Sequence, residues 1–79
     1  MTDEQLKKFK ESVYEPYNEA WKIMQTLKQA DINSQKFWDE YTKKATEFPN
    51  KYGNSEISQS ISRVLLDAGS EVSKIGRQN

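Results

Sequence analysis

The chain contains no cysteine and no histidine among its 79 residues. Their absence excludes a disulfide framework, thiolate chemistry, and the common zinc, haem and serine-triad sites. We therefore predict no catalytic residue, no metal ligand and no cofactor, and we expect a protein that is not an enzyme. A chain without cysteine also suits a reducing compartment, which favours a cytoplasmic location.

The chain also lacks any excess of one charge. Twelve basic and twelve acidic residues balance overall, with five of each sign in residues 1–30, four in 31–53 and three in 54–79. Nucleic acids and anionic membranes attract clustered positive charge, so this balance argues against both partners. The longest aliphatic run is Val64-Leu65-Leu66, far too short to cross a bilayer. The N-terminus has no apolar segment typical of a signal peptide.

Glycine and proline are scarce, and no stretch alternates as a strand would. Three segments instead repeat apolar residues at helical spacing. The first covers residues 3–30, with Thr2 and Gln5 placed to form a capping box. Steps of three and four separate its apolar residues, which define one helical face: Leu6, Phe9, Val13, Tyr17, Ala20, Met24 and Leu27.

Pro16 lies in the middle of this first segment. A proline inside a helix removes one hydrogen bond, crowds the carbonyl four residues earlier and costs about 3 kcal/mol. The apolar spacing nevertheless keeps its phase across Pro16, which favours one helix bent near residues 12–16. The alternative is a break, with Pro16 at the first position of a new helix.

The second segment covers residues 34–48, with Asn33 or Ser34 as its cap and Pro49 predicted to end it. Gly53 is the expected left-handed residue of the following turn. The predicted core side of this helix is largely aromatic and consists of Phe37, Trp38, Tyr41, Ala45 and Phe48.

The third segment covers residues 55–75, capped by Asn54 or Ser55 and followed by Gly76 as a C-terminal cap. Gly69 could end this helix early, but the apolar spacing continues across it and favours one helix. The predicted core residues are Ile57, Ile61, Val64, Leu65, Ala68, Val72 and Ile75. An aliphatic third helix against two aromatic-faced helices, joined by short connections, predicts a single all-α domain over residues 1–79, an up-down-up three-helix bundle.

Two surfaces are candidates for contact with a partner. On the third helix, Leu66 lies nearly opposite the core residues, in an uncharged sector of mostly small side chains that includes Ser62, Gly69, Ser70 and Ser73. Either Leu66 is a single exposed leucine, or the sector packs within the same chain, or it binds a partner. On the first helix, Tyr14 and Trp21 flank the main stripe, facing either the bundle or another chain.

The sequence identifies no activity. The function we favour is a small, non-enzymatic helical protein-interaction module that self-associates, because the chain is close to the smallest size that an apolar core stabilises alone. Its expected partner is a second copy or another helical protein, and neither a membrane nor a nucleic acid. The alternative is a small regulatory protein that binds nucleic acid, against which the neutral charge of every segment counts.

Overall fold

The computed structural model describes residues 1–77 of the chain. Within that range there are three helices and no strand, which confirms the all-α three-helix bundle. We label the helices α1 (residues 3–29), α2 (Gln35–Tyr52) and α3 (Glu56–Arg77). None of these helices is both long and apolar enough to cross a membrane.

Helix α1 is continuous but is built from four pieces of three helical types. It starts at the predicted capping box, where the Gln5 backbone N–H donates to Thr2 Oγ1 at 3.2 Å and the Thr2 N–H donates to Gln5 Oε1 at 2.9 Å. The pieces are an α-helix over Asp3–Phe9, a π-helical turn over Lys10–Tyr14, an α-helix over Glu15–Gln25 and a 3₁₀ turn over Thr26–Gln29.

The π-helical turn lies immediately before Pro16. The Glu15 N–H donates to the Lys10 carbonyl five residues earlier, and Glu15 keeps helical angles of φ −63° and ψ −45°. A wider turn gives the proline ring more room beside the preceding carbonyls, at the cost of ordinary α-helical bonding. The helix therefore passes through Pro16 without a break, and the proline itself is fully buried.

A short turn over residues 30–34 leads to α2. The Asp31 carboxylate accepts from the Asn33 N–H at 3.1 Å, and Ser34 Oγ caps α2 by accepting from the Phe37 N–H at 3.2 Å. The Trp38 indole N–H donates to the Ile32 carbonyl at 2.9 Å and so fixes the turn against the helix.

The prediction that Pro49 ends α2 is wrong. The helix continues through Pro49 to Tyr52, and Gly53 ends it with a φ of 86°, as predicted. Proline removes only one hydrogen bond here, to the Ala45 carbonyl. Phe48, which is 2% exposed, and Tyr52 pack their rings 4.7 Å apart against the core, and this packing stabilises the last turn.

Helix α3 starts at Glu56, and Oγ of the preceding Ser55 accepts from the Ser58 N–H at 3.2 Å. It is unbroken at Gly69, as predicted, and it also continues through Gly76, so the predicted end there is wrong. Gly76 lies against Ile32, with room for no side chain, so its smallness permits close contact between α3 and the turn before α2.

The buried core combines side chains of all three helices: Ala20, Ile23, Leu27, Tyr41, Ala45, Phe48, Ile61 and Leu65. The α2 residues match the prediction, but several predicted core residues of α1 and α3 do not. Leu6, Phe9, Tyr17, Val64 and Ile75 are between 43% and 64% exposed.

Two features of α1 account for the misplaced residues there. No residue of its first two pieces, Asp3–Phe9 and Lys10–Tyr14, is buried, because the N-terminal end of α1 extends past the other helices. The molecule is accordingly long and narrow, with extents of 52 × 19 × 16 Å. The π-helical turn also shifts the helical phase, so Pro16 and Ile23 face the core, while Tyr17 remains exposed.

Candidate functional site

Gly69, a predicted partner contact, is buried within its own chain. A Cβ atom placed on it would lie 2.7 Å from Cε1 of Tyr41. The Tyr41 hydroxyl crosses to α3 and donates to the Leu65 carbonyl at 2.6 Å. The close approach of α2 to α3 at this point excludes Gly69 from contact with a partner, and that part of the prediction is wrong.

The other predicted contact residues on α3 differ in how far they are exposed to solvent. Ser62 and Ser73 are half-buried, whereas Ser70 is exposed and Leu66 is 36% exposed. A partner would therefore meet one partly accessible leucine and one serine instead of a smooth, wide strip. Gly69 packs within its own chain, as one of the three interpretations expected. Leu66 remains a minor candidate for contact with a partner.

The other predicted surface, on α1, is larger than the sequence indicated. Tyr14 is 57% exposed and Trp21 is 61% exposed, and three residues that we had placed in the core join them on the surface of α1: Leu6, Phe9 and Tyr17. We call these five residues the α1 apolar face. The sequence held one signal for it, because the predicted first helix is longer than either of the other two and so cannot be covered along its whole length.

Part of the α1 apolar face borders a groove between α1 and α3. Tyr17, Trp21 and Met24 form one wall, and Ser60 and Val64 lie on the other. The groove holds about 180 Å³, and none of its lining side chains is charged. Such a surface suits an apolar side chain of a partner better than a phosphate or a carboxylate.

A second groove, of about 690 Å³, lies between α1 and α2. Its rim carries charges of both signs, and Lys51 Nζ lies 3.4 Å from Glu19 Oε1. The pKa of Lys51 is raised because Tyr52 and, second, Glu19 favour the charged ammonium. Mixed charges on an exposed rim do not concentrate one sign, so this groove has no clear preference for a charged ligand.

Within residues 1–77, Tyr41 is the titratable side chain with a large shift in its pKa. Burial raises its pKa to about 12 because the phenolate would lose its hydration. The hydroxyl is held as a donor to the Leu65 carbonyl, which makes Tyr41 a structural link between α2 and α3. Among residues 1–77, no three acidic side chains are grouped so that they could hold a metal ion.

No protein-family model, curated protein or solved structure matches this chain.

Proposed function

We propose that the protein is a small, non-enzymatic helical module for protein–protein interaction that self-associates, and that the α1 apolar face is its contact surface. The observation that carries this proposal is the exposure of five large apolar side chains on one helix. Each of them leaves between 43% and 61% of its surface open to solvent.

The composition of the face supports this use. Large exposed apolar patches on small proteins are typical of binding surfaces, and aromatic residues are enriched where proteins meet. Three of the five residues are tyrosine or tryptophan, whose polar edges tolerate water in the free protein while their rings bury apolar area in a complex.

The N-terminal end of α1 supports it further. Residues 3–12, which we call the arm, carry no buried side chain and project past the bundle. An isolated helix of this length has marginal stability in water. Nucleation of a helix is unfavourable, and a short helix forms too few hydrogen bonds to offset it. Binding of a partner along the arm would stabilise it.

Sedimentation velocity over a wide concentration series tests this proposal. We expect the wild-type protein to associate as its concentration rises, and Trp21→Asp to weaken association strongly, since it places a charge on the α1 apolar face beside the uncharged groove. Leu66→Asp is the matched control on the other candidate surface and should associate nearly as the wild type does. A wild-type protein that stays monomeric at millimolar concentration would refute the proposal.

The proposed location is the cytoplasm, supported by the absence of cysteine. Fractionation of the native host with an antibody against the chain would test it. Recovery with secreted or membrane fractions would contradict this part of the proposal and leave the contact surface unaffected.

A further inference from the structure

We propose that two copies of this chain pair in antiparallel fashion, so that the arm of each copy covers the groove between α1 and α3 of the other. This inference rests on the self-association proposed above and specifies its geometry. The arm carries Leu6 and Phe9 of the α1 apolar face, and the groove is bordered by Tyr17 and Trp21 of the same face.

The arm supplies the apolar side chains. Leu6 and Phe9 are 52% and 43% exposed, and nothing in residues 1–77 buries them. With a rise of about 1.5 Å per residue, the ten-residue arm is about 15 Å long. Tyr17 and Met24, which mark the ends of the groove on α1, are separated by about 10 Å on the same measure. The arm is therefore long enough to cover the groove.

The π-helical turn brings the arm and the groove onto one side of α1. An uninterrupted α-helix would place Tyr17 about 80° around the axis from Phe9, at about 100° per residue. Each residue of a π-helical turn rotates the chain by less, because its hydrogen bonds span five residues. The turn over Lys10–Tyr14 therefore reduces the offset, and Phe9 lines up more closely with the groove wall of its own helix.

The spacing of apolar residues along α1 is compatible with a two-fold axis at the half-buried Val13. A two-fold interface joins one surface patch to an identical patch, so each contact occurs twice. Phe9 and Tyr17 are each four residues from Val13, and Leu6 and Ala20 are each seven residues from it. An antiparallel copy centred on Val13 places Phe9 opposite Tyr17 and Leu6 opposite Ala20, and Ala20 is part of the groove lining.

The area available matches what a modest dimer needs. Six large side chains of this surface are about half exposed: Leu6, Phe9, Tyr14, Tyr17, Trp21 and Val64. Burying the exposed part of each removes roughly 100 Å² from water, which amounts to on the order of 1,000 Å² for two copies. Specific interfaces begin at about that size, so we expect a reversible dimer of moderate affinity.

Cysteine cross-linking tests the geometry directly, because the chain has no cysteine of its own. Val13→Cys lies on the proposed axis and should form a disulfide-linked dimer under mild oxidation. Leu6→Cys is the matched control. Its two copies would be fourteen residues apart along the pair, about 21 Å, well beyond the reach of a disulfide. Circular dichroism of both reduced variants checks that each retains its helices.

A second variant tests the arm without touching the core. Leu6→Asp should weaken dimerisation at least a hundredfold, since the two-fold axis repeats the substitution. It should leave the melting temperature of the dilute monomer unchanged, because Leu6 is 52% exposed on a segment without a buried residue. Lys8→Asp, an exposed change of charge on the same arm, is its control and should weaken dimerisation far less.

The outcomes separate this inference from the proposed function. Efficient cross-linking of Leu6→Cys to itself would indicate a parallel pair and overturn the antiparallel arrangement, while self-association would stand. Association that Leu6→Asp leaves intact would overturn the role of the arm in the same way. A wild-type chain that is monomeric at all concentrations would overturn both proposals. Cross-linking through Val13→Cys together with the Leu6→Asp loss supports the paired arm and groove.

Discussion

Helices α2 and α3 are joined much more closely than either is joined to α1. Between α2 and α3, the Tyr41 hydroxyl donates to the Leu65 carbonyl at 2.6 Å, and Gly69 leaves space for the Tyr41 ring. Gly76 leaves space for Ile32, which lies in the turn before α2. Helix α1 has an open groove on each side. In residues 1–77, its one polar side-chain link to another helix is the 3.4 Å contact between Glu19 and Lys51.

One short chain thus combines two helices held at a fixed distance with a third helix that has five large apolar side chains exposed to solvent. Small residues and a buried hydrogen bond fix the distance between α2 and α3, because close packing tolerates little change in volume. Helix α1 contributes Ala20, Ile23 and Leu27 to the core, yet the five side chains of the α1 apolar face stay open to a partner. Substitutions at matched positions can test this contrast.

The largest effect is expected from removing a leucine at the centre of the bundle. Leu65 is 0% exposed, and Leu65→Ala should lower the free energy of unfolding by about 2–5 kcal/mol through lost burial and a cavity. The same substitution on the arm, Leu6→Ala, should change it by no more than about 0.5 kcal/mol in dilute solution. Urea unfolding followed by circular dichroism measures the free energy of unfolding of each variant. Equal losses in the two variants would contradict the difference between bundle and arm.

A methyl group between α2 and α3 should have the next largest effect. Gly69→Ala places Cβ 2.7 Å from Cε1 of the buried Tyr41 ring, so either the ring or one of the two helices must shift. Overpacking lowers the free energy of unfolding by about 1–3 kcal/mol, whereas the higher helix propensity of alanine raises it by about 1 kcal/mol. We therefore expect a net loss of stability. Ser70→Ala, the exposed neighbour, is the control and should be neutral. A stabilised Gly69→Ala would mean that the α2–α3 contact is loose.

The hydrogen bond between α2 and α3 should contribute a smaller amount. Tyr41→Phe removes the donor to the Leu65 carbonyl and should cost about 0.5–1.5 kcal/mol. Tyr14→Phe alters an exposed hydroxyl and should leave thermal unfolding of the dilute monomer unchanged. Equal effects of the two substitutions would show that the Tyr41 bond does not stabilise the pair of helices.

The same tyrosine predicts a dependence on alkaline pH. The unfolded chain loses the Tyr41 proton near pH 10, whereas the folded protein holds it until about pH 12. The contribution of Tyr41 is therefore complete below pH 10 and is lost as the pH rises to about 12, because the unfolded state then binds fewer protons. Unfolding measured across that range should be less sensitive to pH in Tyr41→Phe, and an identical slope would contradict the burial of this hydroxyl.

The smallest effect is expected at the polar link between α1 and α2. Glu19→Gln removes one partner of an exposed ion pair, and such pairs contribute little because water and salt screen them. We expect a smaller change in melting temperature than for Tyr41→Phe, and one that disappears in high salt. A loss as large as that of Gly69→Ala would show that α1 is fixed to the bundle through this pair, contrary to the comparison.

The sequence was sufficient for the fold class and most helix boundaries. Caps at Thr2 and Ser34, the left-handed Gly53 and the uninterrupted course through Gly69 all follow from local chemistry. Local rules failed at Pro49, where packing of Phe48 and Tyr52 outweighs one missing hydrogen bond. Helix propensities do not include packing between helices, so they could not predict that α2 continues past Pro49.

The candidate surface was only partly predictable. The sequence places Tyr14 and Trp21 off the main stripe and so makes them candidate partner contacts, whereas the spacing of Leu6, Phe9 and Tyr17 predicts that they are in the core. A spacing rule assumes a uniform α-helix, and the π-helical turn before Pro16 violates that assumption. Gly69 was assigned to the surface because the sequence does not reveal which neighbour a small residue admits; here it is the Tyr41 ring.

The two tryptophans occupy opposite environments, and this gives the protein two intrinsic optical reporters. Trp38 is half-buried with its indole N–H bonded to the Ile32 carbonyl, whereas Trp21 stands 61% exposed beside the open groove. Emission from Trp38 should respond to denaturation, and emission from Trp21 should shift to shorter wavelengths when a ligand shields it from water. With the other indole replaced by phenylalanine, each fluorophore would follow one process without any attached dye.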